Sequence, residues 1–153
     1  MLDNAMLGRP PHFFNTTLVN VMGNALEEAG YHFQGYQIFT EHGLFRYSKN
    51  LHETVSVYVV FQFLAYPGGP SRFRVNLMRR QNVEGRISNL YEEITLSRLL
   101  WETLGIRRLG SPEFWWTFTS QADLADALTE AGKLIFEYGI PWLEGRRTDA
   151  KNL

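Results

Sequence analysis

The stretch ETVSVYVVFQFLAY, residues 53–66, constrains the fold more than any other part of the chain. It is rich in β-branched and aromatic side chains, which favour strands. The PGGP that follows at 67–70 is a turn signal, and SRFRVNLMRR at 71–80 returns as a second strand. The sequence therefore predicts a central β-hairpin, around which the rest of the chain must be arranged.

The region before this hairpin is predicted to form a helix and two strands. Apolar residues recur at helical spacing up to Ala29, with Asn15 as the predicted N-cap and Gly30 just past the helix end. Strands are predicted over 31–41 and 44–50, joined by a His-Gly turn. Together with the central hairpin, they predict a four-stranded antiparallel meander.

The region after the hairpin is predicted to add a short helix, one strand and one long helix. Residues 93–104 fit both a helix and a strand, and a short helix ending at Gly105 is favoured, whereas 113–119 are predicted as a fifth strand. Ser120 is the predicted N-cap of the final helix. That helix is predicted to end at Gly139, because Pro141 cannot continue it.

The order of these elements predicts the fold class. Strands in one run with helices at both ends favour an α+β fold. We expect a mainly antiparallel sheet of about five strands, with the N- and C-terminal helices on one face, as a two-layer sandwich. Within the 153 residues, 1–12 are predicted as an extended arm, 13–144 as a single domain and 145–153 as a flexible tail.

Three segments of the chain resemble a family of small bacterial α+β domains of unknown function. These segments are LEEAGYHFQG (26–35), EFWWTF (113–118) and EYGIPWLE (137–144). Members of the family open with a helix that ends in Gly-aromatic, continue with a meander, and close with a Trp-bearing strand and a helix finishing in Gly-x-Pro-Trp/Phe-Leu. The resemblance covers most of the chain in order, and it implies the α+β fold without implying any catalytic residue.

Composition and motifs exclude several kinds of site. The absence of cysteine excludes disulfides, thiolate zinc sites, iron–sulfur clusters and a cysteine nucleophile. No P-loop, dinucleotide glycine pattern or nucleophile elbow is present, so we expect no cofactor, and the sequence leans toward a non-enzymatic protein. Without a signal peptide or an apolar span, the chain is expected to be cytoplasmic and not bound to a membrane.

The parity of the central hairpin predicts an interaction surface. If PGGP is a four-residue loop, the face that points away from the helices carries six candidate residues: Val57, Val59, Phe61, Phe63, Arg72 and Arg74. An apolar patch of this size on a sheet face usually marks a partner. The alternative is a strand that the chain itself buries on both sides, and a one-residue shift in the turn would invert the two faces.

The adjacent tryptophans Trp115 and Trp116 must point to opposite sides of a strand. Trp116 shares its side with Phe114 and Phe118, and this apolar set predicts a place in the core. Trp115 lies on the other side, where it is either covered by another element or exposed as an interface anchor.

A weak metal candidate arises from the first predicted hairpin. If Glu41 pairs with Leu44, His32 falls opposite Glu53, close to His52. Two histidines and a carboxylate can bind a metal ion. The spacing matches no metal-binding motif, so no metal site is predicted.

The sequence as a whole favours a binding protein over an enzyme. The expected partner is another protein or a second copy of this chain as a homodimer, in a chaperone-like or immunity-like role. The alternative is a module that binds single-stranded nucleic acid or a small ligand on the same arginine and aromatic face. The net charge of −1 argues against a nucleic-acid partner. An enzyme without a recognisable motif is the third option.

Overall fold

The chain folds into a six-stranded antiparallel sheet with helices, in a computed structural model that describes residues 10–66, 68–82 and 90–145. The strands are β1 (His32–Gln34), β2 (Leu44–His52), β3 (Val55–Leu64), β4 (Ser71–Gln81), β5 (Leu90–Thr95) and β6 (Trp116–Phe118). They pair in the order β1-β2-β3-β4-β5, and β6 also pairs with β4. The predicted α+β fold with a mainly antiparallel sheet is confirmed.

Each of the three longer helices contains a five-residue π turn. Helix α1 comprises Pro10–Leu18, the π turn Val19–Gly23 and Asn24–Glu28; α2 is Gln37–Glu41; α3 comprises Leu96–Arg98 and the π turn Leu99–Thr103; α4 comprises Gln121–Leu134, the π turn Ile135–Gly139 and Ile140–Leu143. Within the described ranges, none of these helices has the length and apolarity needed to cross a membrane.

The pairing of β3 with β4 differs by one residue from the predicted register. Phe63 lies opposite Phe73, and Phe61 lies opposite Val75. Leu64 lies opposite Arg72, whereas the four-residue loop had placed it opposite Phe73. Because side chains alternate along a strand, this single step exchanges the two faces of β3 relative to β4.

The four apolar residues predicted for the outer face therefore belong to the core. Val57, Val59, Phe61 and Phe63 are all buried, and Phe14 of α1 stacks on Phe63 with ring centroids 5.1 Å apart. The prediction that these four residues lie away from the helices is wrong. The apolar alternation of β4 fixes the pairing, since the inward residues of both strands must meet under the same helices.

The first hairpin is also shorter than predicted. Residues 37–41 form α2 rather than the second half of a strand, and β1 pairs only with the middle of β2. His32 therefore lies opposite Ser48 rather than Glu53. Gly43 closes the connection at φ +76, a conformation that glycine adopts without strain.

This change removes the geometric basis of the weak metal candidate. The Nδ1 atom of His32 lies 2.6 Å from Oε1 of Glu27 on α1, while Nδ1 of His52 faces the hydroxyl of Thr54 at 3.4 Å. Within the part of the chain that the structure describes, no group of three His, Cys, Asp or Glu residues is arranged to hold a metal ion. His32, His52 and Glu53 consequently do not form the predicted cluster.

The start of α1 differs from the prediction, but its end does not. The helix begins at Pro10, inside the stretch predicted as an extended arm, because proline is tolerated in a first turn that needs no backbone donors. Asn15 lies within the helix and is not its N-cap. Gly30 has φ +92 and donates its N–H to the carbonyl of Glu27, which confirms it as the terminating residue.

Helix α4 begins as predicted and ends later. The Ser120 hydroxyl accepts a hydrogen bond from the N–H of Asp123 at 3.1 Å, which confirms the cap. The helix does not end at Gly139, since a π turn there lets Pro141 enter at the start of a new α-helical segment. Gly145, at φ +75, follows the end of the helix instead.

The ambiguous stretch 93–104 contains both a strand and a helix. Strand β5 runs to Thr95, and α3 starts at Leu96. The Thr95 hydroxyl accepts a hydrogen bond from the N–H of Arg98 at 3.2 Å and thus caps the helix. Strand β6 is limited to 116–118, shorter than the predicted 113–119.

Candidate functional site

The face of the sheet opposite the core is lined by arginines, aromatic rings and amides. The alternation of β4 turns its even-numbered residues to this side, together with those of β2 and β3 that pair with them. We call the following set the outer face: Arg46, Tyr58, Val60, Gln62, Arg72, Arg74, Asn76 and Arg80, with the adjoining Phe39, Tyr66 and Trp115.

Trp115 lies beside two arginines of β4. The guanidinium carbon of Arg72 is 4.5 Å from the centroid of its ring, and that of Arg74 is 4.6 Å away. Arg72 also lies over the ring of Tyr66 at 5.2 Å. Both arginines are half-buried, and each packs its guanidinium on an aromatic ring.

Tyr58 is the centre of a second group on the same face. Arg46 lies over its ring at 4.7 Å and Arg80 at 5.8 Å. Arg46 also lies over Phe39 of α2, at 4.5 Å. Only 3% of Tyr58 is exposed, so the neighbouring side chains cover this ring almost completely.

Gln62 connects Arg74 to Asn76 through hydrogen bonds at the middle of the face. Its Oε1 atom accepts from Nε of Arg74 at 2.9 Å and from Nδ2 of Asn76 at 3.1 Å. On the Trp115 side, Nη2 of Arg72 donates to the Tyr66 hydroxyl at 2.8 Å. These bonds hold the arginines in fixed orientations, which lowers the entropy they lose when a ligand binds.

No carboxylate of the described residues forms a salt bridge with an outer-face arginine. Among the described residues, the salt bridges join His32 to Glu27, Lys49 to Glu144 and Arg98 to Glu102, and none reaches Arg46, Arg72, Arg74 or Arg80. The Nε atoms of Arg46 and Arg72 are buried and lack a hydrogen-bond partner within the described chain. Four guanidiniums without a carboxylate partner among the described residues bring four positive charges to one face of the sheet.

Three of the predicted interaction residues come together on this face, and four do not. Arg72, Arg74 and Trp115 form one cluster, whereas Val57, Val59, Phe61 and Phe63 lie in the core. Sequence reasoning did not find Arg46, Tyr58 and Gln62. It placed Asn76 and Arg80 on the same side as Arg72 and Arg74 but did not name them as candidates. The alternation R-F-R-V-N-L separates a polar side of β4 from an apolar one without reference to the turn, whereas the residues of β2 and β3 reach this face only through strand pairing.

Compared with known proteins, the chain matches no family model, no curated protein and no solved structure. The function must therefore be argued from the geometry of the outer face and the chemistry of its side chains.

Proposed function

We propose that this chain is a non-enzymatic binding protein whose outer face docks an acidic surface of a different protein. The observation that supports this is the set of four half-buried arginines, each stacked on an aromatic ring and none paired with a carboxylate of the described chain. Arginine, tryptophan and tyrosine are the residue types that contribute most to binding at protein interfaces.

A protein partner suits this face better than single-stranded nucleic acid. Platforms for single strands stack bases on exposed ring faces. Here Tyr58 is covered by Arg46 and Arg80, and Trp115 already packs against two guanidiniums. What the outer face offers to a ligand is the edges of the guanidiniums, which match carboxylates in geometry and charge.

A second copy of the chain suits the outer face less well than a different protein does. A two-fold interface places the same patch on both sides. The four arginines of one outer face would then meet the four of the other, and like charges brought together at an interface disfavour association by several kcal/mol. We therefore propose a heterologous partner, and we place this function in the cytoplasm, which the absence of cysteine supports.

The test is a pull-down from the native host, analysed by native mass spectrometry, with nuclease-treated and untreated samples. The bait is compared with the variant R46Q/R72Q/R74Q/R80Q and with the control R107Q, because Arg107 lies over Trp101 at 3.9 Å outside the outer face. We expect a stoichiometric protein that survives nuclease, is lost with the fourfold variant and is retained by R107Q. Recovery of nucleic acid alone, or of the same protein by all three baits, would contradict the proposal.

A further inference from the structure

The two arginines at Trp115 differ from the other outer-face arginines in how tightly they converge. Both guanidinium carbons lie over one indole ring, at 4.5 Å and 4.6 Å from its centroid. Two positive charges held against one ring repel one another, and among the described residues no salt bridge offsets that repulsion. An anion bound between or beside them would remove this unfavourable interaction.

Among the described residues, hydrogen bonds engage only part of each guanidinium in the cluster. Nη2 of Arg72 is engaged by the Tyr66 hydroxyl, and Nε of Arg74 is engaged by Gln62. Each guanidinium has five N–H donors in a planar fork, so donors remain on the other edges. Ring stacking occupies a face of each plane and directs recognition to these edges, where a planar carboxylate can accept two parallel hydrogen bonds.

We propose that Arg72, Arg74 and Trp115 form a carboxylate-binding site that anchors an Asp or Glu side chain of the protein partner. This inference rests on the proposed function and makes it more specific. It assigns the main contact to the Trp115 end of the outer face, and it assigns the Tyr58 group a secondary, purely electrostatic contribution.

The experiment measures the binding of short fluorescein-labelled peptides by fluorescence anisotropy. A glutamate-rich peptide is compared with the same peptide carrying glutamines, with a phosphoserine version and with an oligo-dT strand. We expect the glutamate peptide to bind wild type and R72Q/R74Q to raise its Kd about tenfold or more, the effect of losing charge-assisted hydrogen bonds. R72K/R74K keeps the charge but should recover only part of the affinity, because lysine lacks the planar fork.

The control for these variants is R107Q, which removes an arginine from another tryptophan and should change Kd by less than about twofold, as for an exposed charge. A second readout uses the wild-type protein and does not depend on a variant folding. Among the four indole N–H signals in a proton–nitrogen spectrum, Trp115 should shift on peptide addition, while the buried Trp142 should not.

The outcomes separate this inference from the proposed function. If R46Q/R80Q weakens capture of the protein partner and R72Q/R74Q does not, the outer face binds protein but the Trp115 site is not the anchor. Equal binding of the glutamine peptide, tighter binding of the phosphoserine peptide or of oligo-dT, or an unmoved Trp115 signal would each overturn the carboxylate site. If neither the double variants nor the fourfold variant affects capture of the partner, both proposals fail.

Discussion

Two neighbouring tryptophans have opposite surroundings at the point where the outer face meets β6. The Trp116 indole stacks on Phe73 with centroids 5.2 Å apart, and its Nε1 donates to Oε1 of Glu130 at 2.6 Å. This bond satisfies the one polar atom of a ring that is only 5% exposed. Trp115 instead holds Arg72 and Arg74, so a single step along the chain separates a core anchor from a surface residue.

Tyr47 should make stability fall at alkaline pH. Burial, with a smaller contribution from the charge of Glu27, raises the pKa of its phenol from 10.0 to about 12. Because the folded pKa is raised, the neutral ring favours the fold fully below pH 10, and this contribution is lost as pH rises from 10 to about 12. The free energy of unfolding should fall by up to about 1.4 kcal/mol per pH unit between these two pH values.

The check is chemical denaturation of Tyr47→Phe and wild type at a series of pH values from neutral to alkaline. The free energy of unfolding of the variant should decline less steeply above pH 10. The reason is that the variant lacks the Tyr47 phenol, whose ionisation destabilises the folded wild type. Tyr91→Phe, at a side chain that is 61% exposed, serves as the control and should keep the wild-type slope. Identical slopes for all three proteins would show that Tyr47 does not cause the effect.

Gly43 should not tolerate a side chain. Its φ is +76, and a Cβ atom there would clash with the backbone oxygen of Phe63. The backbone conformation alone disfavours alanine by about 1–3 kcal/mol, and the clash with a paired strand adds to this. Gly110→Ala provides the control, because Gly110 has φ +77 but nothing within 4 Å of the new atom. The unfolding midpoint in urea should therefore drop more for Gly43→Ala than for Gly110→Ala.

At the scale of elements, the central hairpin shows what the sequence could and could not determine. The strands β3 and β4 and their turn were predictable, because the strand-favouring composition and the Gly and Pro turn signals indicate the same hairpin. Their register was not predictable from the turn, since a glycine- and proline-rich loop accommodates more than one pairing. Matching the apolar residues Phe73, Val75 and Leu77 of β4 to the odd-numbered residues of β3 would have given the observed faces.

The same limit explains the missed parts of the candidate site. Arg72 and Arg74 were found because they share a short segment, and Trp115 because it adjoins another tryptophan. Arg46 was missed because it reaches the outer face only through the pairing of β2 with β3, opposite Val60. Helix α2 was predicted as a strand, since one turn of helix is too short to show a helical period.

A comparison of two adjacent residues in β3 tests the register directly. Phe61→Ala should reduce the free energy of unfolding by about 3–5 kcal/mol, since Phe61 is fully buried against the helices. Gln62→Ala should reduce it by about 1 kcal/mol or less, because Gln62 is half-buried on the outer face. Denaturant titration of both variants decides the point, and the reverse order would place Phe61 on the outer face.

At the scale of the molecule, hydrogen bonds connect the end of α4 to the sheet and to the residues that follow α1. The Glu144 carboxylate accepts from the Tyr31 hydroxyl at 2.9 Å and from Nζ of Lys49 at 3.0 Å. Nζ of Lys49 also donates to the carbonyl of Ala29, and Nη1 of Arg79 donates to the carbonyl of Leu143. The segment EYGIPWLE therefore has a structural role, because its hydrogen bonds connect the end of α4 to β2, to β4 and to the residues after α1.

Replacing this carboxylate should destabilise the whole fold. Glu144→Gln leaves the half-buried Lys49 without its charged partner, and we expect a decrease of about 1–3 kcal/mol in the free energy of unfolding. Glu102→Gln breaks the exposed pair with Arg98 and should change it by less than about 1 kcal/mol. Equal effects in urea denaturation would contradict the role of Glu144, and partner binding should be unchanged in both variants.

The edge of the sheet next to β4 is built from two segments that lie far apart in the chain. Strand β5 pairs with the second half of β4, while β6 pairs with Ser71–Phe73 at its start. Contacts between segments close in sequence form faster than contacts between distant ones. We therefore expect the meander from β2 to β5 to form first and β6 to join it late. Trp115 directly precedes β6, so a chain emerging from the ribosome would bring Trp115 against Arg72 and Arg74, and complete the proposed carboxylate site, only near the end of folding.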